Sequence, residues 1–191
     1  LNNYWDVLIS GPFGLYFWNS AWIAVVVTAA NLIFSTMVGY ALARRDFPFK
    51  KLVFLSIIGS IAVPPQVLMV PVFILMKHLG WLNTYWALII PNLAMPFGII
   101  LCRQYIVSIP DGLLEAARID GSSEFGIYWR VILPLLTPAL ATLAIFTFLS
   151  QWNSFVWPLI VVQSSEMRTV PLIIGVLNGQ FGSNFAMIMA G

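Results

Sequence analysis

Charge is what this chain has least of. Charged residues make up 8% of its 191 positions, against roughly 25% in an average soluble domain, which excludes a water-exposed globule. It has one cysteine, Cys102, and one histidine, His78, so no internal disulfide and no Cys/His metal cluster can form. Cys102 lies in an apolar run and reads as an inert packing residue, while His78 reads as a surface or interfacial side chain in a turn. The phosphate-cradling G-x-x-x-x-G-K-[ST] pattern and the zinc-binding H-E-x-x-H pattern are both missing. The long apolar runs, as drawn below, hold no Asp, Glu, Lys or Arg. Ion-driven transporters and intramembrane hydrolases place ionisable groups at membrane depth; the expectation is therefore no enzyme site in this chain. A net charge of +2, with the basic residues at the ends of apolar runs, argues against a nucleic-acid surface. The chain opens on Leu1 rather than Met and carries no secretory signal pattern, so it reads as an excerpt of a longer protein.

Apolar sequence is what remains. Hydrophobic residues make up 60% of the chain and the mean hydropathy is +0.91, the composition of an all-α, polytopic transmembrane helical bundle. Residues 17–43 contain no charge and as a helix would span roughly 40 Å, more than the hydrocarbon core of about 30 Å. A second run covers 52–76 and contains Pro64, Pro65 and Pro71. Each proline removes a backbone hydrogen bond, so this span is expected to be bent and buried rather than lipid-facing. A third run, 84–101, carries Pro91 and Pro96 and ends near Arg103; a fourth, 135–162, contains Pro138, Gln151, Asn153 and Pro158. Residues 163–184 begin polar and become rich in Gly and Asn, and the apolar part from 170 to 177 is too short to span. It reads as a re-entrant or surface piece, and 185–191 as the start of a further span. That makes four complete spans and a stub.

Basic residues orient this topology. Arg44, Arg45, Lys50, Lys51, Arg103, Arg118 and Arg130 fall on one side; Lys77 and Arg168 fall on the other. The positive-inside rule then puts 44–51 and 103–134 in the cytoplasm, with 1–16 and 163–184 outside. Trp5, Trp18, Trp22, Trp81, Trp86 and Trp157 lie near span ends, as an interfacial aromatic belt requires.

The cytoplasmic stretch 110–134, PDGLLEAARIDGSSEFGIYWRVILP, is the longest charged interlude, with Asp111, Glu115, Asp120 and Glu124 among seven acidic residues in the whole chain. Pro110 and Asp111 supply a helix start, and Leu113, Leu114, Ala116 and Ala117 a short helix. Gly121 sits where a left-handed residue ends helices, and Ser122 or Ser123 can cap a second helix with bulky Phe125, Tyr128, Trp129 and Ile132. Glu115 and Arg118 are spaced for an i,i+3 ion pair, and the small side chains at 116 and 117 let another backbone approach. Two short helices hinged at a glycine make a docking surface.

Here the residues resemble a known family. Glu115-Ala116-Ala117, three positions, Gly121, nine positions, then Val131-Ile132-Leu133-Pro134 is similar to the EAA loop of ABC importer permeases, departing only at Val131, where the family has Ile. Residues 17–189 also resemble carbohydrate-uptake permeases, especially the maltose-type second subunit. The resemblance implies one permease domain over 1–191, with 110–134 as a loop that docks in a cytoplasmic ATPase cleft through Glu115, Ala116, Ala117, Arg118, Asp120, Gly121, Leu133 and Pro134. It implies six spans in the full subunit, the first and last missing or truncated here, in a bacterial inner membrane. Its partners would be a second permease, two ATPase subunits that bind ATP and Mg, an extracytoplasmic solute-binding protein, a sugar and membrane lipid. No cofactor or metal is expected in this chain.

A substrate path is less distinct in the residues. Asn31, Gln66, Asn92, Gln151 and Asn153 are the amides at membrane depth, and with Trp152 and Trp157 they suit sugar hydroxyls. Hydrogen bonding between helices is the plainer use of the same amides. Asn178, Gln180 and Asn184 are candidates for contact with a binding protein, against a plain connector. The alternatives in function are a permease for glycerol-3-phosphate or another small polar solute, an ATP-independent secondary transporter or channel, and a structural subunit lining no path.

Overall fold

The computed structural model describes residues 13–180, and among these every regular element is helical. Helix α1 covers Phe13–Arg44; its 32 residues are free of charge until Arg44, a cation placed at the negative end of the helix dipole. Its packed stripe is mixed: Tyr16, Ile23, Ala24, Val27, Tyr40 and Leu42 are buried beside polar residues. Asn19, Ser20, Asn31, Ser35 and Thr36 are enclosed, whereas Phe17, Trp18, Trp22, Val25, Ile33, Phe34 and Met37 face outward. Small polar side chains at the packed stripe and apolar ones outside are what a helix in lipid needs.

The second apolar run is broken. Helix α2, Lys50–Ile61, starts after Phe49, whose φ is +63°, and stops before Pro64-Pro65, since a residue preceding proline resists the helical conformation. Helix α3, Pro65–His78, begins on a proline and contains Pro71. The expected break is present. The expected burial is not: α2 buries no residue and α3 only Met76. Proline breaks interrupt backbone bonding; α2 packs one side on α5, with Phe54 under Arg103, and among the described residues most of the remaining apolar side chains of α2 and α3 stay exposed.

Helix α4, Tyr85–Ile89, runs into a 3₁₀ turn, Ile90–Asn92, at Pro91, and α5, Pro96–Val107, restarts with proline in its first turn. The helix therefore continues through Arg103 and one turn beyond the expected end of the uncharged run 84–101. The docking stretch follows as α6, Asp111–Ile119, and α7, Glu124–Ile127, then a π-helical turn, Tyr128–Ile132, and the short α8, Leu133–Leu135.

The last apolar run is also in pieces. Helix α9 covers Thr137–Trp152 and α10 Val156–Val161, with a break at 153–155 that the sequence reading passed through. Between α8 and α9 the axis turns by 74°. Pro138 has no N–H to offer the carbonyl of Pro134, and the Thr137 hydroxyl donates to that carbonyl instead at 2.7 Å. After a 3₁₀ turn at Ser165–Met167, α11 occupies Val170–Gln180. By length and apolarity α1 and the run Tyr85–Val107 can each cross a membrane, and the two broken pairs raise the count to as many as four.

The helices gather into two compact units. Among the described residues one comprises 13–27, 66–91 and 148–180, the other Thr28–Pro65 and Asn92–Thr147. In the first, Asn19 donates to the carbonyls of Glu166 (2.7 Å) and Arg168 (3.0 Å) and accepts from the Tyr85 hydroxyl at 2.6 Å. Asn83, at φ +58°, accepts through Oδ1 from the backbone N–H groups of Gln163 and Ser164 and from the Ser164 hydroxyl. The Ser20 hydroxyl accepts from the N–H of Val170 at 2.9 Å. In the second unit the core is Tyr40, Ile106, Leu114, Ile127, Tyr128, Ile132, Leu136 and Ala139, and it sits directly beneath the docking stretch.

Candidate functional site

The first docking helix ends as its glycine requires. Gly121 has φ +80°, its N–H donates to Arg118 and that of Ser122 to Ala117, each at 3.0 Å, closing the orphan carbonyls of α6 in a left-handed cap. Ser123 rather than Ser122 caps the next helix, its hydroxyl accepting from the N–H of Gly126 at 3.2 Å. At the other end Pro110 is the capping position and Asp111 the first helical residue, without a side-chain cap. Asp111 instead pairs with Arg44 of α1. Arg44 also donates to the carbonyls of Ile106 (2.8 Å) and Ile109, closing the end of α5.

Glu124 is a residue the sequence reading assigned no role, and it holds the most. Its carboxylate accepts from the Tyr40 hydroxyl at 2.8 Å, pairs with Arg45 at 3.1 Å and accepts from Arg118 at 3.2 Å. The Tyr40 hydrogen bond is the foremost cause holding the Glu124 carboxyl below its ordinary value of 4.5; Arg118 and Arg45 add to it and partial burial opposes. Arg118 is thus turned to Glu124, and the expected i,i+3 pair with Glu115 does not form. The cap bends the chain at Gly121 and brings a stronger partner, six positions on, to the guanidinium. Glu115 is exposed and makes no ion pair among the described residues.

Beneath these charges Tyr40 packs on Tyr128 at 5.7 Å, and the Tyr128 hydroxyl shares a 2.7 Å hydrogen bond with Thr36. The two faces of the stretch differ. Leu114, Ile127, Tyr128 and Ile132 are buried, with Ala117 and Leu133 packed against them, while Ile119 is 86%, Phe125 67% and Trp129 51% exposed. Asp120, Gly121, Phe125, Trp129 and Arg130 line an open hollow of about 690 Å³. Of the motif residues, Glu115, Ala116, Asp120 and Gly121 face outward, and Pro134 is exposed at the base of α9. The stretch thus presents an exposed apolar tip and is tied by ion pairs to the end of α1.

Comparison with known proteins decides the family. Residues 35–191 match the family described as binding-protein-dependent transport system inner membrane component. The chain belongs to this family. This family member is 41% identical over 182 residues to an arabinooligosaccharide transport permease, AraQ, of Halalkalibacterium halodurans, covering 95% of this chain and 65% of that one. It is 34% identical over 177 residues to the lactose transport permease LacG of Rhizobium radiobacter (93% and 65%). It is also 34% identical over 160 residues to the sn-glycerol-3-phosphate permease UgpE of Yersinia enterocolitica (84% and 57%). Its fold matches a solved bacterial ABC transporter involved in alginate import with a TM-score of 0.84 at 27% identity, over 98% of this chain and 70% of that one. The chain thus spans less than two thirds of the length of these permease relatives.

Each amide weighed for a substrate path has its own setting. Gln66 is exposed on α3, and Asn92 is half-buried in the 3₁₀ turn. Asn153 donates to the Leu149 carbonyl of its own helix at 2.8 Å. Gln151 lines a narrow cleft with Ser20, Leu88, Trp157 and Thr169. Asn31 is fully buried, accepts from Ser35 at 3.1 Å and presses on Gly98. The Trp157 indole is committed to the Ala87 carbonyl at 2.8 Å. Asn184 lies outside the described residues, as do the side chains of Asn178 and Gln180 near the end of α11. Asn19 and Asn83, which the sequence reading passed over, are the amides that organise their unit.

Proposed function

We propose that this chain is the translocation half of an ATP-driven, binding-protein-dependent sugar importer, paired with a second permease and driven by two ATPase subunits that bind ATP and Mg. One observation carries the reading: the EAA stretch forms two short helices with an exposed apolar tip, braced through Glu124 and Arg44 to the end of α1. ATP-driven closure of the ATPases would push this knob, and α1 would pass the movement to the bundle. The sugar class draws support from the arabinooligosaccharide and lactose relatives, with glycerol-3-phosphate as the competing solute. Residues 163–184 would face a solute-binding protein outside, with Asn178, Gln180 and Asn184 in the contact.

The test is ATP hydrolysis by the complete reconstituted complex. Glu115→Lys with Gly121→Pro should abolish substrate-stimulated hydrolysis, because proline cannot take φ +80°. Ile119→Asp, at an exposed position, should weaken ATPase binding while leaving membrane insertion unchanged. Full coupling in both variants would reduce the stretch to a connector. Uptake assays with arabinooligosaccharides, lactose and glycerol-3-phosphate would separate the solute classes. Alanine at 178, 180 and 184 together should lower binding-protein stimulation; unchanged stimulation would remove that contact.

A further inference from the structure

Beside the docking loop, in the same unit, a second cluster of cations has no role in the importer reading. Arg103 of α5 lies with its guanidinium 4.1 Å above the ring of Phe54 on α2. Its Nε is enclosed and has no hydrogen-bond partner, and Arg103 forms no ion pair among the described residues. Lys50 and Lys51 open α2 next to it, and together with Leu42, Phe54 and Arg103 they line an open cavity of about 300 Å³. The floor is solid: Leu42 is 1% exposed, and a Cβ on Gly39 would stand 3.0 Å from the backbone N of Arg103, so α1 and α5 touch there. Asp46 is the acidic side chain that faces the cluster; it pairs with Lys50 at 3.3 Å from a fully exposed position and leaves Lys51 and Arg103 unmatched.

Above the cations the surface becomes apolar and stays open. Helix α2 buries no residue, and Leu52, Val53, Leu55, Ile58 and Ile61 all face outward. Cations at one end of an uncovered apolar helix, around a cavity with an aromatic wall, match one kind of molecule: a negative headgroup carrying hydrocarbon chains. We infer that Lys50, Lys51 and Arg103 bind the phosphodiester of an anionic phospholipid on the cytoplasmic side, its acyl chains lying along α2. Arg103 would hold the phosphate as a planar donor stacked on Phe54, and the lysines would supply charge without fixed geometry. A soluble anion would gain the charges but nothing from the apolar helix.

The experiment uses the complete transporter in nanodiscs of phosphatidylcholine doped with fluorescent phosphatidylglycerol, reading lipid retained by the complex. Lys50→Gln with Lys51→Gln should lower retention roughly thirty-fold, taking about fivefold per cation near an anionic surface. Arg103→Gln alone should lower it at least fivefold, by the same scale of about fivefold per charge plus loss of the stacked donor. Lys77→Gln with Arg168→Gln removes as much charge elsewhere and should leave retention unchanged. Equal loss in that control would reduce the effect to net charge and overturn the site. Unchanged retention in the Lys50, Lys51 pair would overturn it as well, as would displacement of the lipid by millimolar inorganic phosphate. Docking of the ATPase in each variant reports whether the fold survived.

Discussion

The two units of this chain are held by different chemistry. The unit with the docking stretch contains seven basic and five acidic residues; the other, among the described residues, contains two basic and one acidic. In the charged unit Arg44, Arg45, Arg118, Asp111 and Glu124 tie the docking helices to α1. In the neutral unit the same task falls to the amides of Asn19 and Asn83 and the hydroxyl of Ser20, which hold residues 161–170 against the helices by neutral hydrogen bonds. Charges can be used where water reaches them, and the docking stretch is largely exposed. Burying an ion costs more than burying an amide that keeps its partners, and Arg44, 13% exposed, is held by Asp111 and two carbonyls.

The sharpest way to break this contrast is Asn19→Ala. It would leave two carbonyls and the Tyr85 hydroxyl without their partner, and thermal unfolding of the full chain in detergent should show a loss of about 2–4 kcal/mol. A loss no larger than that of an exposed residue would mean the neutral unit is held by packing alone. Gly98→Ala should cost about 2 kcal/mol, because the new Cβ would clash with the Ser35 hydroxyl and stand 2.9 Å from Asn31 Oδ1 and 3.1 Å from Leu143. Adding Ser35→Ala should recover most of that loss, which identifies close packing rather than helix propensity as the cause. Gly121→Ala has open space around it, so its cost of about 1 kcal/mol comes only from φ +80° and should appear as weaker ATPase docking.

The smallest effect concerns pH and separates the units directly. Glu124 titrates below its ordinary value in the folded chain, so its contribution is present above the unfolded value of 4.5 and is lost as pH falls through the lower folded value. Hydrogen exchange in the docking stretch should therefore be steady near neutrality and rise only in that acid window. Glu124→Gln should remove the acid step. Equal acid loosening of residues 163–170, whose tethers run through the amides of Asn19 and Asn83, would defeat the comparison.

Much of this was legible without coordinates. The uncharged runs announced α1 and the broken spans, since only helices satisfy backbone groups in lipid; Pro64, Pro65, Pro91 and Pro96 marked breaks or restarts, whereas Pro71 and Pro158 are carried inside helices. The motif from Glu115 to Pro134 marked the stretch of two short helices, and Gly121 its turn. Legibility ended where side chains choose partners far along the chain. Arg118 had Glu115 three positions away and took Glu124; Asp111 was read as a cap and took Arg44. Asn19 looked like any other residue in a membrane span.

What the sequence determined by itself was therefore membrane class, family and the place of the two short helices hinged at Gly121. These depend on composition, local turn chemistry and short-range spacing, all of which act along the chain. What only the tertiary structure decided was the hub at Glu124, the amide tethers of Asn19 and Asn83 and the cation cavity at Arg103. Each brings together residues tens of positions apart, and their energy exists only once the helices have met.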